Sequence, residues 1–273
     1  MQKTKFALSI ASAAALLTLA ACGGGGGDSA PASQQPATPT PPAPTVTVQG
    51  SATAVQADPL AVVFVPHTEK ATQPVLQSIA SAVFPAQFQK STSEGAYTQL
   101  GIDANSLISF TAGKVVEVAG NGDFAIGRWT EGSSSIGSVS VNQGDHYVVG
   151  KPLALTRTPG PTAKLTCSLA ASTSPTAVSG NFAPGKVNSA TAVIDLNGPL
   201  LESFSVSVAI GSDAAATASV LGTTIGGVAI VNGVLAHIQV MGTDAAHPVL
   251  AVGYAMPTPS SGDVTGTVAL KCQ

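Results

Sequence analysis

The chain is expected to be mainly β. A C-terminal eight-stranded antiparallel up-and-down β-barrel follows a smaller α+β/β region and a disordered N-terminal tether. Three observations carry this expectation. After Ala163, short runs of alternating apolar and polar residues recur between turn-forming Gly, Pro, Asn and Asp. Asn232-Gly233 lies between two apolar runs, which is the strongest short-range signal for a β-hairpin. Cys167 and Cys272 fall in the first and the last of these runs.

In chain order, residues 1–21 read as an export signal and not as part of the fold. Lys3 and Lys5 give a positive start, and Phe6 to Leu19 is uncharged and too short for a permanent membrane helix. The run ends in Leu19-Ala20-Ala21-Cys22, which resembles the lipobox of bacterial lipoproteins. The resemblance implies a diacylglycerol on the Cys22 thiol, cleavage after Ala21 and acylation of the new amine. Gly23, where that family would carry Asp to stay at the inner membrane, implies the outer membrane. Several acyl chains, at about 0.8 kcal/mol per buried CH₂, make such an anchor effectively permanent.

Residues 22–54 read as a tether. Gly23 to Gly27 is unbroken glycine, and Asp28 to Pro44 is almost entirely Ser, Ala, Pro, Gln and Thr. Such a composition buries too little apolar surface to offset its ordering entropy. No secondary structure is expected before about residue 55.

Residues 55–157 form the next region. Leu60 to Val65 reads as a buried strand closed by Pro66. Pro74 opens a short helix, because Val75, Ile79 and Val83 recur four apart before Pro85. Short strands follow at Leu107–Phe110, Lys114–Val118, Phe124–Thr130, Ile136–Val141 and His146–Val149, with turn residues such as Gly120-Asn121-Gly122-Asp123 between them.

Residues 158–273 form the barrel. Its strands are expected at Ala163–Ala171, Ala190–Leu196, Leu201–Ile210, Ala215–Leu221, Gly226–Val231, Val234–Met241, Val249–Met256 and Asp263–Cys272. Phe204, Val206, Val208 and Ile210 share one face, and Ser203, Ser205 and Ser207 the other. Closure removes exposed sheet edges, so a closed barrel is favoured. The first and last strands then meet at the seam. Cys167 shares a face with Leu165 and Leu169, and Cys272 with Val268 and Leu270, so both thiols point inward and can bond. An exported protein meets an oxidising compartment, where a disulfide is the default. The serine-bearing faces and scarce aromatics do not suit a membrane-spanning barrel.

Composition narrows the function. Charged residues are 9% of the chain and aromatics 4%, with 29 Gly and 19 Pro. Loss of Lys3 and Lys5 takes the formal charge from −3 to −5. Only Arg128 and Arg157 carry guanidinium groups, so no basic patch for nucleic acid is expected.

Two stretches resemble a known module: Gly122-Asp123-Phe124-Ala125-Ile126-Gly127-Arg128-Trp129, and Asp145-His146-Tyr147-Val148-Val149-Gly150-Lys151-Pro152. Together they look like the C-terminal module of some surface proteins and FecR-domain proteins of β-proteobacteria. That barrel is in turn similar to those of transferrin-binding-protein-like lipoproteins. The resemblance covers about residues 107–273 and implies a fold and a surface location. It implies no ligand, and the FecR domain itself is absent.

Enzyme signatures are missing. No G-x-S-x-G elbow is present, and the Gly-Lys pairs at Lys114, Lys151 and Lys186 lack the residues of a P-loop. His67, His146, His237 and His247 are far apart, Cys167 and Cys272 are not in short-spaced pairs, and no metal site or cofactor is expected. Asp123, Glu131 and Asp145 read as turn residues. The candidate ligand-binding residues are Arg128 with Trp129, as a stacking platform, and His146 with Tyr147, as groups able to ligate haem. The last two lie on opposite faces of a strand and cannot both ligate one haem. The chain is therefore expected to be a non-catalytic binding lipoprotein. Its membrane contact is a lipid anchor, and its partner a host protein or a small ligand such as haem. The alternative is a structural envelope lipoprotein facing the periplasm.

Overall fold

The computed structural model describes residues 45–273. The export signal, Cys22 and most of the tether lie outside the described residues.

Two sheets of nine strands make up the structure. The N-terminal sheet contains β1 (Val46–Gly50), β2 (Leu60–Val65), β3 (Ile79–Phe84), β4 (Lys90–Ser91), β5 (Tyr97–Leu100), β6 (Ile108–Gly120), β7 (Phe124–Ser134), β8 (Gly137–Val139) and β9 (Asp145–Gly150). Its order is β3-β2-β9-β7-β6-β5-β4, with β1 on β6 and β8 on β7. The C-terminal sheet contains β10 (Lys164–Ser172), β11 (Thr176–Ala177), β12 (Lys186–Asp195), β13 (Leu200–Ile210), β14 (Asp213–Thr224), β15 (Gly227–Val231), β16 (Val234–Met241), β17 (Val249–Thr258) and β18 (Gly262–Cys272). Its order is β14-β13-β12-β10-β18-β17-β16-β15, with β11 on β18.

All eight alternating stretches after Ala163 are strands of a nearly closed barrel. Phe204, Val206, Val208 and Ile210 are buried inside it, and Ser203, Ser205 and Ser207 lie on the other face. The first and last strands pair antiparallel, with Cys167 opposite Cys272. The two form a disulfide, S–S 2.01 Å, across 105 residues. One ladder is missing from the closed barrel expected above, because β14 and β15 are not paired. The turn between them is Ile225-Gly226, and Gly222, Gly226 and Gly227 all have positive φ, so the backbone leaves the twist that a ladder requires.

Three further expectations are corrected. β1 lies where no structure was expected: its β-branched Val46-Thr47-Val48 pairs parallel with Gly113, Lys114 and Val115 of β6. The helix expected from Pro74 is absent, and a loop leads into strand β3, where Ile79, Ala80 and Ser81 pair with Phe64, Val63 and Val62. A spacing of four fits a strand as well as a helix, because residues two and four apart share a strand face. Among the described residues the only helical segment is the 3₁₀ turn Ala86–Phe88. The smaller region is therefore β throughout, not α+β.

Three cores follow from the two layers. One fills the barrel. A second, with Phe64, Phe84, Tyr97, Phe110, Trp129 and Tyr147, lies against the N-terminal sheet. The third joins the layers: Ala61, Val63, Val65, Phe124, Ile126 and Val148 meet Met241, Val249, Ala251 and Ala269. Strand β2 is thus buried on both faces, as its unbroken apolar sequence requires.

Candidate functional site

The four candidate ligand residues divide by strand face. Trp129 and Tyr147 point into the N-terminal core and are fully buried. The Trp129 indole N–H donates to the Tyr97 carbonyl at 2.7 Å, and its ring stacks on Phe110 with centroids 5.4 Å apart. The Tyr147 hydroxyl accepts the Tyr97 N–H at 3.1 Å, and burial pushes its phenol well above the usual range.

Arg128 and His146 lie on the opposite face, toward the barrel. Arg128 Nη2 donates to Glu117 Oε1 at 2.8 Å and Nε to Oε2 at 3.1 Å. Glu117 Oε2 also accepts the Ser174 N–H at 2.8 Å, which ties the pair to the segment between β10 and β11. Burial would raise the Glu117 carboxyl, but Arg128 and Ser174 outweigh it and hold the group below its ordinary value. His146 is fully buried, with Nδ1 2.8 Å from Thr173 Oγ1 and Nε2 2.9 Å from Thr176 Oγ1. Its pKa falls to about 3, first through burial and then through the Arg128 charge. The imidazole is neutral, so one ring nitrogen donates and the other accepts. Arg128, through Glu117, and His146 tie the two layers together, Trp129 and Tyr147 fill the N-terminal core, and all four are buried. The sequence marks Arg128 with Trp129 for stacking and His146 with Tyr147 for haem ligation, but strands buried on both sides turn both faces of the motif inward.

The histidines do not converge. His67 Nδ1 is 2.7 Å from Asp145 Oδ1, which also accepts the His67 N–H at 2.8 Å. Ser134 Oγ lies 3.4 Å from Asp145 Oδ2, and among the described residues His67 has no hydroxyl as a hydrogen-bond partner. His237 Nε2 is 3.2 Å from Glu69 Oε2, both fully buried, and His247 pairs with Asp244 at the surface. No group of three or more His, Cys, Asp or Glu side chains among the described residues is arranged to hold a metal ion.

Two clefts open on the N-terminal sheet. The first, about 510 Å³, is lined by Lys114, Glu117, Arg128 and Glu131. Its charges are spent on each other, since Lys114 Nζ is 2.7 Å from Glu131 Oε2 and Arg128 pairs with Glu117. The second, about 400 Å³, is apolar. Buried Phe84 and Ile108 form its deep end, and Ile79, Leu107 and Ile136 line it further out. Leu76 and Ile102 stand at its mouth, 94% and 45% exposed. Three connections build it: the loop before β3, the loop between β5 and β6, and the turn between β7 and β8. Nothing in any one of these segments marked it in the sequence.

In comparison with known proteins, the chain matches no family model, no curated protein and no solved structure.

Proposed function

We propose that this chain is a lipoprotein, anchored in the bacterial outer membrane through Cys22, that displays a non-catalytic β-rich binding module at the cell surface. Anchorage and export rest on the sequence around Leu19-Ala20-Ala21-Cys22. The binding role rests on one structural observation. The barrel interior is filled by its own side chains, the Arg128, His146 and Trp129 groups are engaged internally, and an open apolar cleft is left on the outside. A ligand or protein partner is thus met on the outer surface of the N-terminal sheet, not inside the barrel. Haem gains no axial ligand from His146 or Tyr147, whose ring and hydroxyl atoms are already bonded.

Intact-mass analysis of the membrane-extracted protein tests the anchor. A chain beginning at Cys22 and carrying acyl groups is expected; an unlipidated mature chain sinks the reading. Protease shaving of intact cells tests the display. Loss of the body is expected, whereas full protection points to an envelope lipoprotein facing the periplasm.

A further inference from the structure

We propose that the apolar cleft beside β3 is a binding site for an uncharged amphiphile, a single alkyl or isoprenoid chain ending in a hydroxyl, ester or amide. This rests on the reading of the chain as a binding module and names the ligand class of its cleft.

The lining decides the class. It contains no Lys, Arg, His, Asp or Glu. A charged headgroup entering it would lose water and meet no opposite charge, which is costly. The polar side chains at the mouth are Gln77, Asn105, Ser106 and Ser135. The two hydroxyls are already engaged: Ser106 Oγ accepts the N–H groups of Ile102 and Asp103, and Ser135 Oγ that of Ser109. The side-chain amides of Gln77 and Asn105 make no hydrogen bond among the described residues, which leaves donors and acceptors for a neutral polar head. A volume of about 400 Å³ lies in the range of small-ligand sites. One protein side chain would leave much of it empty.

Both lips are held in place, so little ordering is left for the ligand to induce. On one side, Asp103 Oδ1 accepts the N–H groups of Asn105 and Ser106 at 2.8 and 2.9 Å. On the other, Ser78 Oγ accepts the Val75 N–H at 3.1 Å and donates to Glu69. Glu69 in turn faces His237 of the barrel. Ser78 and Glu69 thus hold the segment that carries Leu76 and Gln77 on the side of the barrel that bears His237.

The test uses the chain from residue 22 onward with Cys22→Ser, so that no attached lipid competes. Trp129 is the sole tryptophan, so energy transfer from it to the uncharged fluorophore N-phenyl-1-naphthylamine reports occupancy from a single donor. Saturable transfer is expected. Decanoylglycerol should displace the dye, with decanoate and decyltrimethylammonium weaker by about tenfold or more. The surface pair Leu76→Asp with Ile102→Asp should weaken dye binding by about tenfold while thermal unfolding stays unchanged. Gln77→Ala with Asn105→Ala should weaken decanoylglycerol and leave the dye, which lacks a glycerol head, unaffected. The proposal is overturned by an absence of saturable transfer, by equal displacement with all three amphiphiles, or by lip variants that bind like the parent. None of these results bears on acylation or shaving, so failure of the ligand class and failure of the lipoprotein reading are told apart.

Discussion

Each half of the molecule lays a tyrosine over a glycine on the neighbouring strand. In the N-terminal sheet Tyr147 of β9 pairs with Gly127 of β7; in the barrel Tyr254 of β17 pairs with Gly266 of β18. At both glycines an added Cβ would overlap the phenol ring. The steric solution is the same, and the polar ending differs. The Tyr147 hydroxyl accepts the Tyr97 N–H, while the Tyr254 hydroxyl is buried with no hydrogen-bond partner among the described residues. The difference runs through both halves. The N-terminal sheet is held by aromatic rings and buried polar pairs that join distant segments. The barrel is held mainly by aliphatic alternation and one covalent bond, with Asp213 and Ser261 as a buried polar tie at one end.

That bond gives the largest expected effect. Replacing Cys167 and Cys272 with Ala frees a loop of 105 residues in the unfolded chain. On the chain-entropy account this costs about 4–5 kcal/mol. Urea unfolding of the oxidised parent, the reduced parent and the double variant should show it. An equal midpoint in all three would mean that the paired β10 and β18 ladder alone secures the seam.

The two halves differed as sharply in how much of them could be read from the sequence. In the barrel, most inward residues are two from the next, bulges such as that between Leu201 and Phe204 aside, and hairpins link most neighbours. The alternation of Phe204, Val206, Val208 and Ile210 therefore located the strands and put Cys167 opposite Cys272. The missing β14–β15 ladder was not legible, because it depends on glycine dihedrals and not on pattern. In the N-terminal sheet, Ile79 and Val83 lie four apart on β3, a spacing that a helix shares, while Val75 lies in the loop before it. Val46-Thr47-Val48 was lost behind prolines. Alternation did separate Arg128 and His146 from Trp129 and Tyr147. It could not show that both sides of β7 and β9 are covered, because the cover on one side comes from the barrel, over 100 residues away for Ala251 and Ala269.

The contact between the halves carries a pH dependence. His146 titrates near 6.5 when unfolded and at about 3 in the fold, where burial, Arg128 and His67 disfavour its charged form and Glu117 opposes them. Between those values the unfolded chain binds the extra proton. Stability from this group is therefore full above about pH 6.5 and falls as the pH drops toward 3, at up to about 1.4 kcal/mol per unit. Glu117, lowered in the fold, adds loss in the same direction at the acid end. His146→Gln keeps a partner for one threonine and removes the titration. Its stability should vary less between pH 4 and 7 than the parent's. Parallel curves would show that the imidazole charges without opening the layers.

The smallest effect is the most direct probe of the contrast between the two tyrosines. Tyr147→Phe removes the acceptor for the buried Tyr97 N–H and should cost about 1–3 kcal/mol. Tyr254→Phe removes a hydroxyl with no partner among the described residues, so its desolvation cost disappears and stability should be unchanged or slightly higher. Both rings continue to cover their glycines, so packing is held constant and only the polar ending changes. Chemical denaturation of the two single variants and the double variant measures both effects. The sites lie in separate cores, so the two values should add. A loss at Tyr254→Phe equal to that at Tyr147→Phe would mean that the barrel phenol has a partner such as buried water, and the two halves would then end their tyrosines in the same way.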